Sequence, residues 1–240
     1  MRPLRAFHYY GSKVAAAHRY PPPRYSTIIE PFAGGAGYSL LHHAHEVHLY
    51  DLNPDVITAW QYLIATPGRD VLRLPLLHPG ENVPTDIGPG AATLIGWCVM
   101  LCGAKPQSRM VPASARIPTS FWGESRRAAL AQIADRVKHW TADILSYENI
   151  QRLAPATWFI DPPYQGRAGA HYVHGSNDID YSALSTWCRS RRGQVIVCEG
   201  ADADWLPFLP HHIHVSAPTA DIQGRRTSTE MIWTNEKVGT

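Results

Sequence analysis

The sequence has few cysteines, modest charge and no long apolar run. Four cysteines in 240 residues are too few for a disulfide framework, and no signal-peptide pattern opens the chain, so we expect reduced thiols and a cytoplasmic location. No segment approaches the roughly 20 continuous apolar residues of a membrane span. The formal net charge of +2 excludes a uniformly basic surface. Any surface that attracts a polyanion must therefore be local.

Short apolar segments alternate with helical patterns along most of the chain. Alternation of this kind predicts an α/β fold, which we expect to be a Rossmann-like, doubly wound and mainly parallel sheet with an antiparallel C-terminal strand. Asn53 before Pro54 and Asp180 before Tyr181 predict helices that begin at these caps. The predicted strands lie in the segments STIIE, VHLYD, ADILSYE, TWFIDPPY, QVIVCEG, HHIHVSA and STEMIWTN.

The middle of the chain has a different composition. Residues 66–93 are rich in proline and glycine, and helical patterns follow over residues 94–104 and 124–140. We interpret residues 66–140 as a small, mostly helical insertion. Residues 1–65 and 141–240 then form the main domain.

A glycine-rich turn follows the first predicted strand. Residues 31–37 read PFAGGAG, and Asp51 ends the next predicted strand. Glycines at a strand-to-helix turn let the backbone approach a ligand, and a carboxylate at the neighbouring strand end can accept hydrogen bonds from a ribose. An ordinary tight turn can also be glycine-rich, and the spacing is not the G-x-G-x-x-G dinucleotide fingerprint.

The most specific pattern is the tetrapeptide Asp161-Pro162-Pro163-Tyr164, which follows an apolar strand. The prolines lack N–H donors, so this turn offers a carboxylate and carbonyl oxygens as acceptors. Asp161 and the Pro162 carbonyl can hold the two hydrogens of an exocyclic amino group, and Tyr164 offers a flat face to an unstacked base. The alternative is a rigid turn that only ends a strand.

In these motifs and their order, the sequence resembles the DNA adenine methylase family of N6-adenine methyltransferases. Residues 9–13 (YYGSK) resemble its N-terminal cofactor motif, residues 30–37 its glycine motif, residues 50–53 (YDLN) its ribose motif and residues 161–164 its catalytic motif. Residues 146–148 (SYE) resemble the segment that borders the adenine ring of the cofactor. The resemblance spans residues 7–235.

The resemblance implies S-adenosyl-L-methionine as cofactor, double-stranded DNA as partner and methyl transfer to adenine N6. It implies that Asp51 binds the ribose, that residues 146–148 border the adenine, and that residues 32–35 approach the methionine part. It also makes residues 66–140 the target-recognition region. The implied cofactor-binding residues are Tyr9, Tyr10, Lys13, Pro31, Phe32, Ala33, Gly34, Gly35, Asp51, Leu52, Ser146, Tyr147 and Asp161. The implied catalytic residues are Asp161, Pro162, Pro163 and Tyr164.

Positive charge is concentrated in the inserted region. Residues 105–138 contain seven lysines and arginines against two acidic residues. A second polar and aromatic loop, residues 165–177, follows the catalytic motif, where we expect it to close over a flipped base. The predicted DNA-contacting residues are Lys105, Arg109, Arg116, Arg126, Arg167 and Tyr172. A solvated helix face is the alternative for the basic residues after position 124.

Other functions remain open at this stage. The acceptor chemistry of residues 161–164 suits any planar amino group, so RNA adenine N6 and cytosine N4 are alternative targets. A noncatalytic DNA-binding protein of the same fold is another alternative. Cysteine and histidine spacings predict no metal site. We expect a monomer.

Overall fold

The computed structural model describes residues 4–100, 103–111, 122–152, 154–166, 169–216 and 227–236. The strands are β1 (Thr27–Glu30), β2 (Glu46–Asp51), β3 (Thr141–Ile144), β4 (Ala156–Ile160), β5 (Gly193–Gly200), β6 (Leu209–Ser216) and β7 (Thr227–Thr234). The helices are α1 (Gly37–Leu41), α2 (Pro54–Ala65), α3 (Gly68–Val71), α4 (Pro89–Cys98), α5 (Glu124–Arg136) and α6 (Tyr181–Ser190). Short 3₁₀ helices cover Lys13–Ala15, Ala17–Arg19, Tyr147–Asn149, Gly169–His171 and Ser176–Asp178.

The seven strands form one mixed sheet in the order β3-β2-β1-β4-β5-β7-β6. The first five strands in this order are mutually parallel. Strand β7 lies between β5 and β6 and pairs antiparallel with both. The strand order reverses its direction of progress between β1 and β4, and ligands of open parallel sheets bind outside the strands at such a point.

Apolar side chains cover both faces of the sheet. In β4, Phe159 belongs to a core that includes Trp60 and Trp97, whereas Trp158 and Ile160 belong to a second core on the opposite face. The alternation follows from the two-residue period of a strand. A sheet that is buried on both faces needs near-continuous apolar strands, which explains the composition of β4 and β5.

Each predicted strand segment contains a strand, and the two predicted helix caps are confirmed. The Asn53 side chain accepts from the Asp55 amide, and Oδ1 of Asp180 accepts from the amides of Ser182 and Ala183 at 2.9 and 3.0 Å. Three helix boundaries differ from the prediction. Helix α4 begins at Pro89 rather than at residue 94, because proline is favoured at the first position of a helix. The same helix ends at Cys98 rather than at residue 104. Helix α5 ends at Arg136 rather than residue 140.

The helices between residues 66 and 140 share a core with the sheet. Helix α5 packs against α3 and α2, and α4 packs against α2. Trp97 on α4 stacks on Phe7 with a centroid distance of 5.6 Å. The inserted residues therefore extend the helical layer, and their separate recognition role stays a prediction. The longest helix that the structure describes has 13 residues, and none of these helices combines the length and apolar character of a membrane span.

Replacing the cap of α6 tests the fold locally. We expect Asp180→Ala to lower the free energy of unfolding by about 1 kcal/mol, because two amides of the first helical turn lose their acceptor. Asp180→Asn keeps an acceptor and should change stability little. Urea unfolding of the three proteins measures both values. Equal losses in the two variants would contradict a capping role.

Candidate active site

The candidate site lies at the carboxyl ends of three neighbouring parallel strands. Glu30 ends β1, Asp51 ends β2, and Asp161 directly follows β4. All three line one cavity at the point where the strand order reverses. The sheet topology thus brings together residues that are more than 100 positions apart in the chain.

The glycine-rich turn is shaped by the segment that packs against it. Gly34 has a φ of +44°, a left-handed conformation, and a Cβ at this position would lie 2.8 Å from the Tyr9 ring. A Cβ on Gly37 would lie 2.5 Å from the Val14 backbone nitrogen. On the other side, the Trp60 indole donates to the Gly34 carbonyl at 2.9 Å. Residues 9–14 and α2 therefore hold the turn between them.

Asp51 links the glycine turn to the start of α2. Its Oδ2 accepts from the Gly34 amide at 3.0 Å, and its Oδ1 accepts from the Asn53 amide at 2.9 Å. Burial raises the pKa of Asp51, although these amides oppose the rise. Each carboxylate oxygen has two lone pairs, so Asp51 can accept further hydrogen bonds from a ligand in the cavity.

An apolar and aromatic wall bounds another side of the cavity. The Phe32 and Tyr147 rings lie 5.7 Å apart with an interplanar angle of 33°. Tyr147 is braced from behind by Trp187 at 5.3 Å, and Leu145 and Ile179 also line the cavity. A wall of this kind suits a flat heteroaromatic ring.

Every residue that the sequence analysis assigns to the cofactor lies around this one cavity. They are Tyr9, Tyr10, Lys13, Pro31, Phe32, Ala33, Gly34, Gly35, Asp51, Leu52, Ser146, Tyr147 and Asp161. Of the catalytic tetrapeptide, Asp161 and Pro163 are among the residues that line the cavity, and Pro162 and Tyr164 are not. The structure shows that these residues are neighbours, and the binding roles stay predictions.

Asp161 forms a buried ion pair with Lys13. The Lys13 ammonium lies 2.6 Å from Oδ1 and 2.8 Å from Oδ2 of Asp161, and it also donates to the Gly11 carbonyl at 3.2 Å. The Lys13 side chain is 9% exposed and that of Asp161 is 19% exposed. Burial raises the pKa of Asp161 to about 6, while Lys13 opposes the rise. Asp161 is therefore an ionised acceptor at neutral pH with a proton affinity above that of a free aspartate.

The rest of the tetrapeptide is held from behind. The Tyr164 hydroxyl donates to Glu230 at 2.9 Å, and the Pro163 carbonyl accepts from the Tyr181 hydroxyl at 2.7 Å. The next amide, that of Gln165, donates to the buried Glu199 at 3.1 Å. Because the Pro163 carbonyl already accepts within the protein, the Pro162 carbonyl stays the predicted second acceptor for an amino group.

Of the predicted DNA contacts, Lys105 and Arg109 are exposed, whereas Arg126 is buried. The Arg126 guanidinium donates to the Arg5 carbonyl at 3.0 Å and pairs with the His8 ring at 2.7 Å. Its predicted contact with DNA is therefore wrong, because the guanidinium is engaged inside the protein. The positions of Arg116 and Arg167 lie outside the described residues.

Tyr172 lies at the edge of the cavity in a group of aromatic rings. Its centroid lies 5.8 Å from that of Tyr9 and 5.3 Å from that of Tyr10, and its hydroxyl donates to the Tyr10 carbonyl at 3.3 Å. Residues 103–105 pass next to this group, since Tyr10 donates its amide to the Gly103 carbonyl at 3.3 Å. Tyr172 and the exposed Lys105 thus lie on the same side of the site as the N-terminal segment.

Sequence reasoning missed the buried carboxylates around the site. Glu30, Glu199 and Glu230 are at most 3% exposed. The available signal was an acidic residue within an apolar strand pattern, as in TIIE and TEMIW, because a strand that is covered on both faces rarely buries a charge without a role. Comparison of the chain with protein-family models and with curated proteins found no match.

Glu30 gives a pH-dependent test of this arrangement. Burial raises the pKa of Glu30 to about 8, opposed by its hydrogen bonds with Ser39. A carboxyl group whose pKa is raised on folding destabilises the fold progressively as the pH rises from about 4.5 to about 8. Glu30→Gln should remove this loss, so its melting temperature should exceed that of the unaltered protein by on the order of 10 °C above about pH 8 and little near pH 4.5.

Melting temperatures over this pH range, measured by calorimetry, check the expectation. Asp202→Asn is the matched control, because Asp202 is exposed and its replacement removes a carboxylate without altering the buried ones. A constant difference between Glu30→Gln and the unaltered protein at every pH would contradict a buried, titrating Glu30.

Proposed function

We propose that this protein is an S-adenosylmethionine-dependent methyltransferase that modifies adenine N6 in DNA. The observation that carries the proposal is the grouping of the glycine turn, Asp51 and Asp161 around one cavity at the carboxyl ends of β1, β2 and β4. These three features belong to separate sequence motifs, and they are neighbours in the folded chain. Their side chains and backbone then line a cavity in which a cofactor could bind.

The sheet supports a Rossmann-like fold for this proposal. The order β3-β2-β1-β4-β5 is that of doubly wound nucleotide-binding sheets, and their ligands occupy the crevice at the strand-order reversal. The mixed end of the sheet, where β7 pairs antiparallel with β5, lies on the other side of β4 from the ribose carboxylate.

The cavity offers groups that fit each part of the cofactor. Asp51 would accept from the ribose hydroxyls, Phe32 and Tyr147 would contact the adenine ring, and the backbone of Gly34 and Gly35 would lie against the methionine part. When bound, the cofactor supplies a methyl group that is already activated on a sulfonium. The protein then needs to supply position and electrostatic orientation rather than a covalent nucleophile.

Asp161 is suited to hold and polarise the amino group of the target. It is ionised at neutral pH and offers four lone-pair directions, of which Lys13 uses part. An adenine that leaves the duplex would donate one N6 hydrogen to Asp161 and the other to the Pro162 carbonyl. An aromatic amine is a very weak acid, so its proton would leave after methyl transfer, and Asp161, which would hold the amino group, could receive it.

Methyl transfer to unmethylated duplex DNA tests the proposal directly. We expect labelled methyl to appear as N6-methyladenine in nucleoside mass spectrometry, and Asp161→Ala to lower the rate at least about 100-fold while it still binds the cofactor. Asp51→Asn is the contrasting variant, with cofactor affinity lowered about tenfold because an ionised acceptor is lost.

The same assay separates the alternatives. Parallel reactions with RNA and with cytosine-rich duplexes detect RNA adenine or cytosine N4 methylation. Cofactor binding without a methylated product on any nucleic acid would overturn the enzyme proposal and favour a noncatalytic DNA-binding protein.

A pair of arginines tests which basic residues face DNA. Arg109→Ala should weaken duplex binding and reduce the slope of affinity against salt by about one charge, because Arg109 is exposed. Arg126→Ala should instead lower the melting temperature, since its bonds to Arg5 and His8 are lost. Fluorescence anisotropy over a salt series and thermal unfolding measure the two effects. A lower salt slope for Arg126→Ala than for Arg109→Ala would overturn this assignment.

A further inference from the structure

A second buried carboxylate, that of Glu230, lies close to Asp161 and has no role in the reaction as proposed. Glu230 lies on β7, is 3% exposed and pairs across the sheet with Gly200 of β5. It is not among the residues that line the cavity within the described part of the chain. A carboxylate oxygen of Asp161, the sulfur of Cys198 and a carboxylate oxygen of Glu230 lie within 4.8 Å of one another.

One oxygen of Glu230 accepts two hydrogen bonds and also lies near the Lys13 ammonium. Its Oε1 accepts from the Tyr20 hydroxyl and from the Tyr164 hydroxyl, the latter at 2.9 Å. The Lys13 ammonium lies 3.6 Å from the same oxygen and 4.8 Å from the centroid of the Tyr164 ring. The Lys13 ammonium is therefore shared between the carboxylates of Asp161 and Glu230 and supplies the positive charge between them.

The sharing has a chemical consequence for Asp161. An ammonium that is paired with one carboxylate alone would take up most of the acceptor capacity of that carboxylate. A second carboxylate draws part of the positive charge away and fixes the ammonium to one side. The same carboxylate also fixes the Tyr164 ring through its hydroxyl.

We infer that Glu230 is a positioning residue for the proposed methyl transfer: it holds Lys13 and Tyr164 so that Asp161 remains an effective acceptor for the amino group of the target. The inference rests on the proposed function. It also gives β7 a role in the site, although none of its residues whose side chains the structure describes lines the cavity.

The electrostatics around Asp161 agree with this role. Burial raises the pKa of Asp161, Lys13 opposes the rise and Glu230 adds to it. Other titratable groups that face Asp161 from the elements around it are Tyr9, Tyr20, Glu30, Tyr164, Cys198 and Glu199. Removal of the Glu230 charge should therefore lower the pKa of Asp161 and strengthen its pairing with Lys13.

Glu230→Gln tests the inference, because it keeps the shape and an acceptor oxygen and removes the charge. We expect kcat for methyl transfer to duplex DNA to fall about tenfold, KM for S-adenosylmethionine to stay within about twofold, and the acid limb of the kcat profile to move below about pH 6. Glu236→Gln is the matched control on the same segment, because Glu236 pairs only with the exposed Arg24 among the described residues.

A titration that needs no activity separates this inference from the proposed function. Carboxyl NMR of Asp161, identified with Asp161→Asn, should show a lower midpoint in Glu230→Gln than in the unaltered protein. An unchanged midpoint, or an unchanged kcat and acid limb in an active enzyme, would overturn the role of Glu230 and leave the proposed function standing. Absence of methyl transfer by the unaltered protein would overturn the proposed function. The NMR midpoint would still show whether the charge of Glu230 acts on Asp161.

If Glu230→Gln does not fold, Tyr164→Phe tests the same network from the other side. It keeps the ring and removes the hydroxyl that Glu230 holds. Without its bond to Glu230 the ring is no longer fixed, so this variant should lower kcat and leave KM for S-adenosylmethionine unchanged. An unchanged kcat would overturn the inference.

Discussion

The buried ion pair of Lys13 and Asp161 joins the N-terminal segment to the end of β4, and the cavity depends on that connection. Lys13 follows the residues that pack on the glycine turn, so the position of its ammonium and the position of the turn are coupled. Removing two charges from water costs several kcal/mol per ion, and well-packed apolar side chains often stabilise a fold as well as such a pair. A protein that keeps this pair in its interior gains little stability from it, so a chemical role is the better explanation.

Carboxyl groups outnumber cations around this pair. Asp161 and Glu230 face one ammonium, and Glu30 and Glu199 lie further out, all buried or nearly so. Burial raises the pKa of Glu199 to about 7, and that of Glu30 to about 8, so these carboxyls take up protons more readily than free ones. An excess of acceptors over cations is what a site needs when it must hold an amino group in place.

Local sequence signals were sufficient for much of the fold and for the lining of the cavity. The caps at Asn53 and Asp180 act on amides within three residues. The glycine turn and the tetrapeptide are each a single continuous segment, so each can be recognised from local sequence alone. The start of α4 was missed although Pro89 is also a local signal, because the apolar pattern that follows at Leu94 is stronger. Arg126 was misread because its partners, Arg5 and His8, lie about 120 positions away, and only tertiary packing brings them together.

The same distinction bears on how the site comes into existence. Lys13 and Asp161 are 148 positions apart, and Tyr20 and Glu230 are 210 positions apart. Contacts between residues so distant in the chain carry a large loop-closure cost and form slowly, after local helices and turns. The lysine, the tetrapeptide and the second carboxylate come into register only when β1, β4, β5 and β7 have paired. A partly folded chain therefore contains each of these groups but not the buried ion pair that relates them.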